Sequence, residues 1–214
     1  MTANVPVVSL DPAGAAPTPT TPSTFGRNVI AVWFVAMSIV GGSLVVRHAP
    51  LPAGSVRMSA LLSLETGSLE PGTDEAPVRV FHVLYADCRC SKRVVERLAM
   101  RGVRRGVREH VLLAGRDDAL SGALQGSGFT VTRTTPRELG ERFGIDAAPL
   151  LVITASNHTP LYIGGYTPSK QSLDVRDGAI LDAALRGERP RPLPLYGCPV
   201  SDELRAQVNP LRLR

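Results

Sequence analysis

Aromatic residues, lysine and cysteine are all scarce in this chain. Aromatics make up 5% of its 214 residues, so a folded core has to be built mainly from Val, Leu, Ile and Ala. Lysine is almost absent, and the net charge of +5 is carried by arginine. The arginines are scattered, with loose groups at Arg101, Arg104, Arg105 and Arg108 and at the C-terminus. Neither a basic face interleaved with aromatics nor a recognisable nucleic-acid-reading module is present, so no nucleic-acid partner is expected. The three cysteines, Cys88, Cys90 and Cys198, are too few for a disulfide-stapled scaffold. They are also too few for an all-cysteine zinc site unless histidine or another chain helps. The histidines at 48, 82, 110 and 158 are expected to be packed or solvated, and no metal ligand is assigned.

What is present divides the chain into segments. Residues 1–28 carry five prolines among Thr, Ala and Ser, with no helix or strand period, and read as a disordered tail. Residues 29–46 form an uncharged run, VIAVWFVAMSIVGGSLVV. As a helix it would be roughly 27 Å long, enough to cross a bilayer core. It is expected to be retained as a signal anchor, because a long leader precedes it and no strong small-x-small cleavage site follows. Residues 47–76 are rich in Pro, Gly, Ser and Glu and read as a linker.

A domain is expected over 77–187. Val78–Tyr85 is apolar on both faces, as a strand covered on both sides would be. Ser91–Met100 has its apolar residues at helical spacing. Strands are predicted at 110–114, 129–134, 150–154 and 161–165, the last two forming a hairpin around Ala155–His158. Helices are predicted at 117–124, at 136–143 with Pro136 at its start, and around 180–185. The order is β-α-β, a connecting helix, then β-β-α, and the hairpin makes the sheet mixed. Residues 188–214 form a Pro-rich extension ending in a short helix, with Cys198 as its cap.

Two short segments carry a family resemblance. VFHVLYADCRCSKRVVERL is similar to the redox segment of the thioredoxin superfamily: a hydrophobic strand, a short cysteine loop, and a basic residue opening an amphipathic helix. FGIDAAPLLVI is similar to the segment bearing that family's cis-proline. The stretch between them resembles the TlpA or peroxiredoxin-like branch. The resemblance covers residues 76–187 and implies an α/β thioredoxin-like fold with a mixed central sheet; the apolar run at 29–46 places one transmembrane helix before it. It also implies that Ala148–Pro149 is a cis bond whose backbone edge holds an extended substrate segment. The chain departs from the family's Cys-x-x-Cys. With Cys88 in the first cysteine position, Ser91 falls at the second, Cys90 stands one place early, and Asp87 replaces the familiar Trp.

Cys88 precedes a helix start, where the helix dipole and free N–H groups favour a thiolate. Arg89, Lys92 and Arg93 add positive charge, and Asp87 opposes them. Residues i and i+2 of a helix point about 200° apart, so a Cys88–Cys90 disulfide requires a non-helical loop through Cys90 and a tight ring. The expected function is a membrane-anchored, extracytoplasmic thiol–disulfide oxidoreductase. Cys88 is the nucleophile, Cys90 the resolving thiol and Cys198 a possible third thiol; no cofactor is needed. Its partners are protein thiols or disulfides, the membrane, and an unnamed electron donor or acceptor. The alternatives are a metal-binding protein resembling the Sco copper chaperones, which have a wider cysteine spacing, and a non-catalytic thioredoxin-like adaptor.

Overall fold

The computed structural model describes residues 24–66 and 78–208. The chain divides into two compact units, Met1–Leu44 and Val45–Arg214. The apolar run lies in helix α1, Thr24–His48, most of which belongs to the first unit and which begins earlier and ends later than the uncharged stretch alone. Among the described residues it is the one helix long and apolar enough to cross a membrane, and none of its Thr24–Gly42 stretch is buried. Length and composition suit an anchor and a signal sequence equally.

The second unit is an α/β layer structure. Strands β1 (Val78–Tyr85), β2 (Arg108–Ala114), β3 (Thr130–Thr134), β5 (Leu150–Ala155) and β6 (Pro160–Gly164) form one sheet in the order β3-β2-β1-β5-β6. β1 runs parallel to β2 and antiparallel to β5, so the sheet is mixed. A second, two-stranded sheet joins β4 (Ala147–Ala148) to β7 (Cys198–Pro199).

Side chains alternate across the central strand, as a pleated strand requires. Val78, Val80 and Leu84 face one layer, formed by α3 (Arg89–Arg101), α4 (Asp118–Gly126) and α6 (Asp177–Leu185). Phe81 and Val83 face the other, formed by α2 (Met58–Thr66), α5 (Pro136–Glu141) and α7 (Asp202–Val208). Coverage on both faces is why β1 carries apolar residues on both sides, with Arg79 and His82 as its polar positions. α5 starts where the sequence places it: Pro136 opens it, and Thr135 and Glu138 form a reciprocal capping box. Gly144, at φ +67, turns the chain into β4.

Two expectations about chain organisation are corrected. Much of the expected linker 47–76 belongs to the domain. Leu51 bridges to Leu195, Arg57 donates its N–H to Phe143, and Leu61 on α2 is fully buried beneath the sheet. The rest of the expected linker, 67–76, lies outside the described residues, as do residue 77 and most of the predicted N-terminal tail. The C-terminal extension is docked as well: Leu195, Val200 and Leu204 are buried in the same layer as Leu61. Proline-rich composition marks irregular chain; it does not say that short elements such as α2 and α7 form within these stretches, or whether their leucines find a core.

Candidate functional site

β1 ends at Tyr85 and α3 begins at Arg89, leaving a three-residue loop whose last member is Cys88. Cys88 is the N-cap, with an extended backbone at φ −95, ψ 119. Cys90 is therefore the second helical residue, so the helix starts between the two cysteines. Cys88 is fully buried and Cys90 partly exposed. The loop is fixed by several bonds, among them Tyr85 N–H to Ser91 Oγ, Cys88 N–H to the Tyr85 carbonyl and Lys92 N–H to the Cys88 carbonyl, each at 3.0 Å.

Ala148 and Pro149 approach from the opposite side. Their peptide bond is cis, as the resemblance implies. Cys88 Sγ lies 3.7 Å from the Ala148 carbonyl oxygen. The structure therefore brings together the expected nucleophile and the expected substrate-holding edge, although they are sixty residues apart.

The third cysteine arrives from the C-terminal extension. Cys198 does not cap the last helix, which starts at Asp202. It lies in β7, paired antiparallel with β4 so that Cys198 stands opposite Ala148. A short extended segment can pair with any exposed edge, and the sequence carries no sign of which edge it meets. The nearest signal is Gly197-Cys198-Pro199 itself, because a Cβ at Gly197 would fall 1.9 Å from the Ala148 oxygen. Only glycine allows so close an approach. The segment is held further by Val200, which donates its N–H to the Asp146 carbonyl at 2.7 Å, and by Arg205 Nε, which donates to the Pro199 carbonyl.

The electrostatics separate the three thiols. Hydrogen bonds from Cys198 first, then from Cys90, lower the Cys88 thiol against the opposing effect of burial, to about 3. The N–H groups of Ser91 and Cys90 in the first helical turn add to this, without a cap bond of ordinary geometry. Donating to Cys88 pushes Cys90 and Cys198 up, and burial acts in the same direction. Of the three thiols, Cys88 is the one whose ionisation is favoured. Among the described residues, no group of three or more His, Cys, Asp or Glu side chains is arranged to hold a metal ion.

Beside Cys90 and Pro149 opens a cleft of about 350 Å³, walled also by Arg93, Tyr166, Lys170 and Tyr196. Two exposed apolar side chains, Met100 and Leu173, line it too. Behind Tyr166 lies a buried polar cluster that sequence reading did not find. His82 Nδ1 meets the Tyr166 hydroxyl and His82 Nε2 meets Glu109, each at 2.9 Å. Arg101 bridges Glu109 and Asp177. Its members come from β1, α3, β2 and α6 and the loop before α6, so no local pattern joins them. His110 is buried against Thr132, and His158 sits at the hairpin with φ +67.

No protein-family model matches the sequence, and no curated protein matches it. Among solved structures, a hypothetical protein from Sinorhizobium meliloti 1021 is similar at a TM-score of 0.49 with 17% identity, over 60% of this chain and 81% of that one. An uncharacterized conserved protein from Geobacillus kaustophilus is similar at 0.46, also with 17% identity, over 59% and 77%. What stands is a mixed α/β domain with a three-thiol cluster where a helix start meets a cis-proline turn.

Proposed function

We propose that this protein is a membrane-anchored thiol–disulfide oxidoreductase with a thioredoxin-like domain, acting outside the cytoplasm through Cys88. The observation that carries the reading is the placement of Cys88: a stabilised thiolate at the start of α3, with its sulfur 3.7 Å from the Ala148 carbonyl. A thiolate is the species that attacks a disulfide. The β-α-β order, the antiparallel hairpin β5–β6 and the proline turn leading into β5 support the thioredoxin-like fold. The additional edge strand β3 suits the TlpA or peroxiredoxin-like branch.

In the proposed reaction, Cys88 Sγ attacks one sulfur of a substrate disulfide. A mixed disulfide forms and one substrate thiolate leaves. A second thiol of the protein then attacks Cys88 Sγ and releases the remaining substrate thiolate. The sequence pairs Cys88 with Cys90 for that step, and the site supplies Cys198 as well. Exchange with a fluorogenic glutathione disulfide tests the reading: the full-length protein should turn it over, and Cys88→Ser should not. Undiminished exchange in Cys88→Ser would remove it.

A further inference from the structure

We infer that the C-terminal segment is a built-in substrate strand, and that Cys198 rather than Cys90 is the thiol that resolves Cys88. The inference rests on thiol exchange at Cys88 and deepens it. The Ala148 edge that a substrate segment would use is already occupied: β7 pairs with it antiparallel, and Cys198 takes the position opposite Ala148. A substrate cysteine lying on that edge would sit there. Cys198 thus stands opposite the residue whose carbonyl oxygen is 3.7 Å from Cys88 Sγ, so the two cysteines meet at Ala148.

The two candidate partners differ in what their disulfides demand of the fold. Cys88 is the N-cap of α3 and Cys90 its second residue. Joining them closes a ring over one intervening residue, and such a ring does not fit the start of a helix. The first turn would have to open, breaking the Lys92 N–H to Cys88 carbonyl bond and loosening buried Ser91 from Tyr85. Cys198 is on a separate strand. Bonding it to Cys88 needs side-chain rotation and a small strand shift, with α3 left intact. The strand is also well seated, since Val200 and Leu204 are buried on either side of the turn into α7.

Because Cys88 is fully buried under this arrangement, strand and substrate compete for one edge. An incoming disulfide displaces β7, and Cys88 thiolate attacks it to give the mixed disulfide and one free substrate thiolate. β7 then returns. Cys198 loses its proton and attacks Cys88 Sγ, and the second substrate thiolate leaves. Two electrons pass to the substrate disulfide, and the protein is left with a Cys88–Cys198 bond. An external dithiol reduces that bond to begin the next cycle.

The test uses the full-length protein in detergent micelles, oxidised with glutathione disulfide and digested with trypsin without reduction. Cleavage after Arg89 puts Cys88 and Cys90 on different peptides, VFHVLYADCR and CSK, while Cys198 lies on a third. The expected product is the Cys88 peptide linked to the Cys198 peptide. Cys198→Ser should accumulate glutathione on Cys88 at least tenfold over the wild type, and Cys90→Ser should not. A dominant Cys88–Cys90 or Cys90–Cys198 link would overturn the inference and leave exchange at Cys88 standing. So would a Cys198→Ser variant that clears glutathione as fast as the wild type. No modification of Cys88 at all would overturn both the inference and the function it rests on.

Discussion

Glu109 offers the sharpest test of the fold's electrostatics. Its side chain is fully buried and is shared by His82, Arg101 and the Arg104 N–H. Burial raises its pKa, but hydrogen bonds from His82 and Arg101 and their charges outweigh that and hold the carboxyl at about 2, below the ordinary 4.5. The folded value lies below the unfolded one. The stabilisation is therefore complete above about pH 4.5 and is lost as the pH falls towards 2. A difference of about 2.5 units at about 1.36 kcal/mol each gives about 3 kcal/mol. Glu109→Gln keeps the shape and removes the charge, leaving Arg101 with Asp177 alone. Breaking a buried pair in this way costs about 3–5 kcal/mol. Urea unfolding of the detergent-solubilised chain, followed by circular dichroism at pH 7 and at steps down to pH 2.5, measures both quantities. The variant should be less stable at pH 7 and should lack the loss between pH 4.5 and 2. His110, lowered by burial to about 4, gives a separate loss between about pH 6.5 and 4 that the variant retains. A variant within about 1 kcal/mol of the parent at pH 7, with the same acid slope, would refute the reasoning.

Three further outcomes are expected. Leu61→Ala should destabilise the domain by about 2–5 kcal/mol, as for a buried leucine; a change within about 0.5 kcal/mol, typical of exposed positions, would mean that α2 is not part of the core. Gly197→Ala should push β7 off Ala148, at about 1–3 kcal/mol for overpacking, and should speed alkylation of Cys88 by N-ethylmaleimide as read by mass spectrometry; unchanged alkylation would mean that β7 does not cover the thiol. Alkaline carbonate extraction should leave the chain with the membrane at its full mass, whereas a mass lacking the α1 residues would identify that helix as a cleaved signal.

The periodic elements were legible because their causes are local. The apolar run of β1, the amphipathic spacing of α3, the proline and capping box of α5 and the hairpin β5–β6 each answer to neighbours within a few residues, and the structure has them close to the predicted bounds. The pair Cys88 and Cys90 was visible for the same reason, whereas the Ala148–Pro149 turn was legible only through the family resemblance of the segment around it.

The sequence alone determined an apolar N-terminal helix, a mixed α/β domain, and a cysteine at the start of a helix. Those features depend on composition and on spacing along the chain. Tertiary structure decided what surrounds that cysteine. It put the Ala148 carbonyl 3.7 Å from the sulfur, laid Cys198 on the same edge, and drew Leu51 and Leu61 from an apparent linker into the domain. It also gathered Glu109, His82, Arg101 and Asp177 into one buried cluster. Each of these rests on contacts between residues far apart in the chain. Such contacts arise from complementary surfaces and edges that exist only once the layers have packed, so no stretch of sequence carries them by itself.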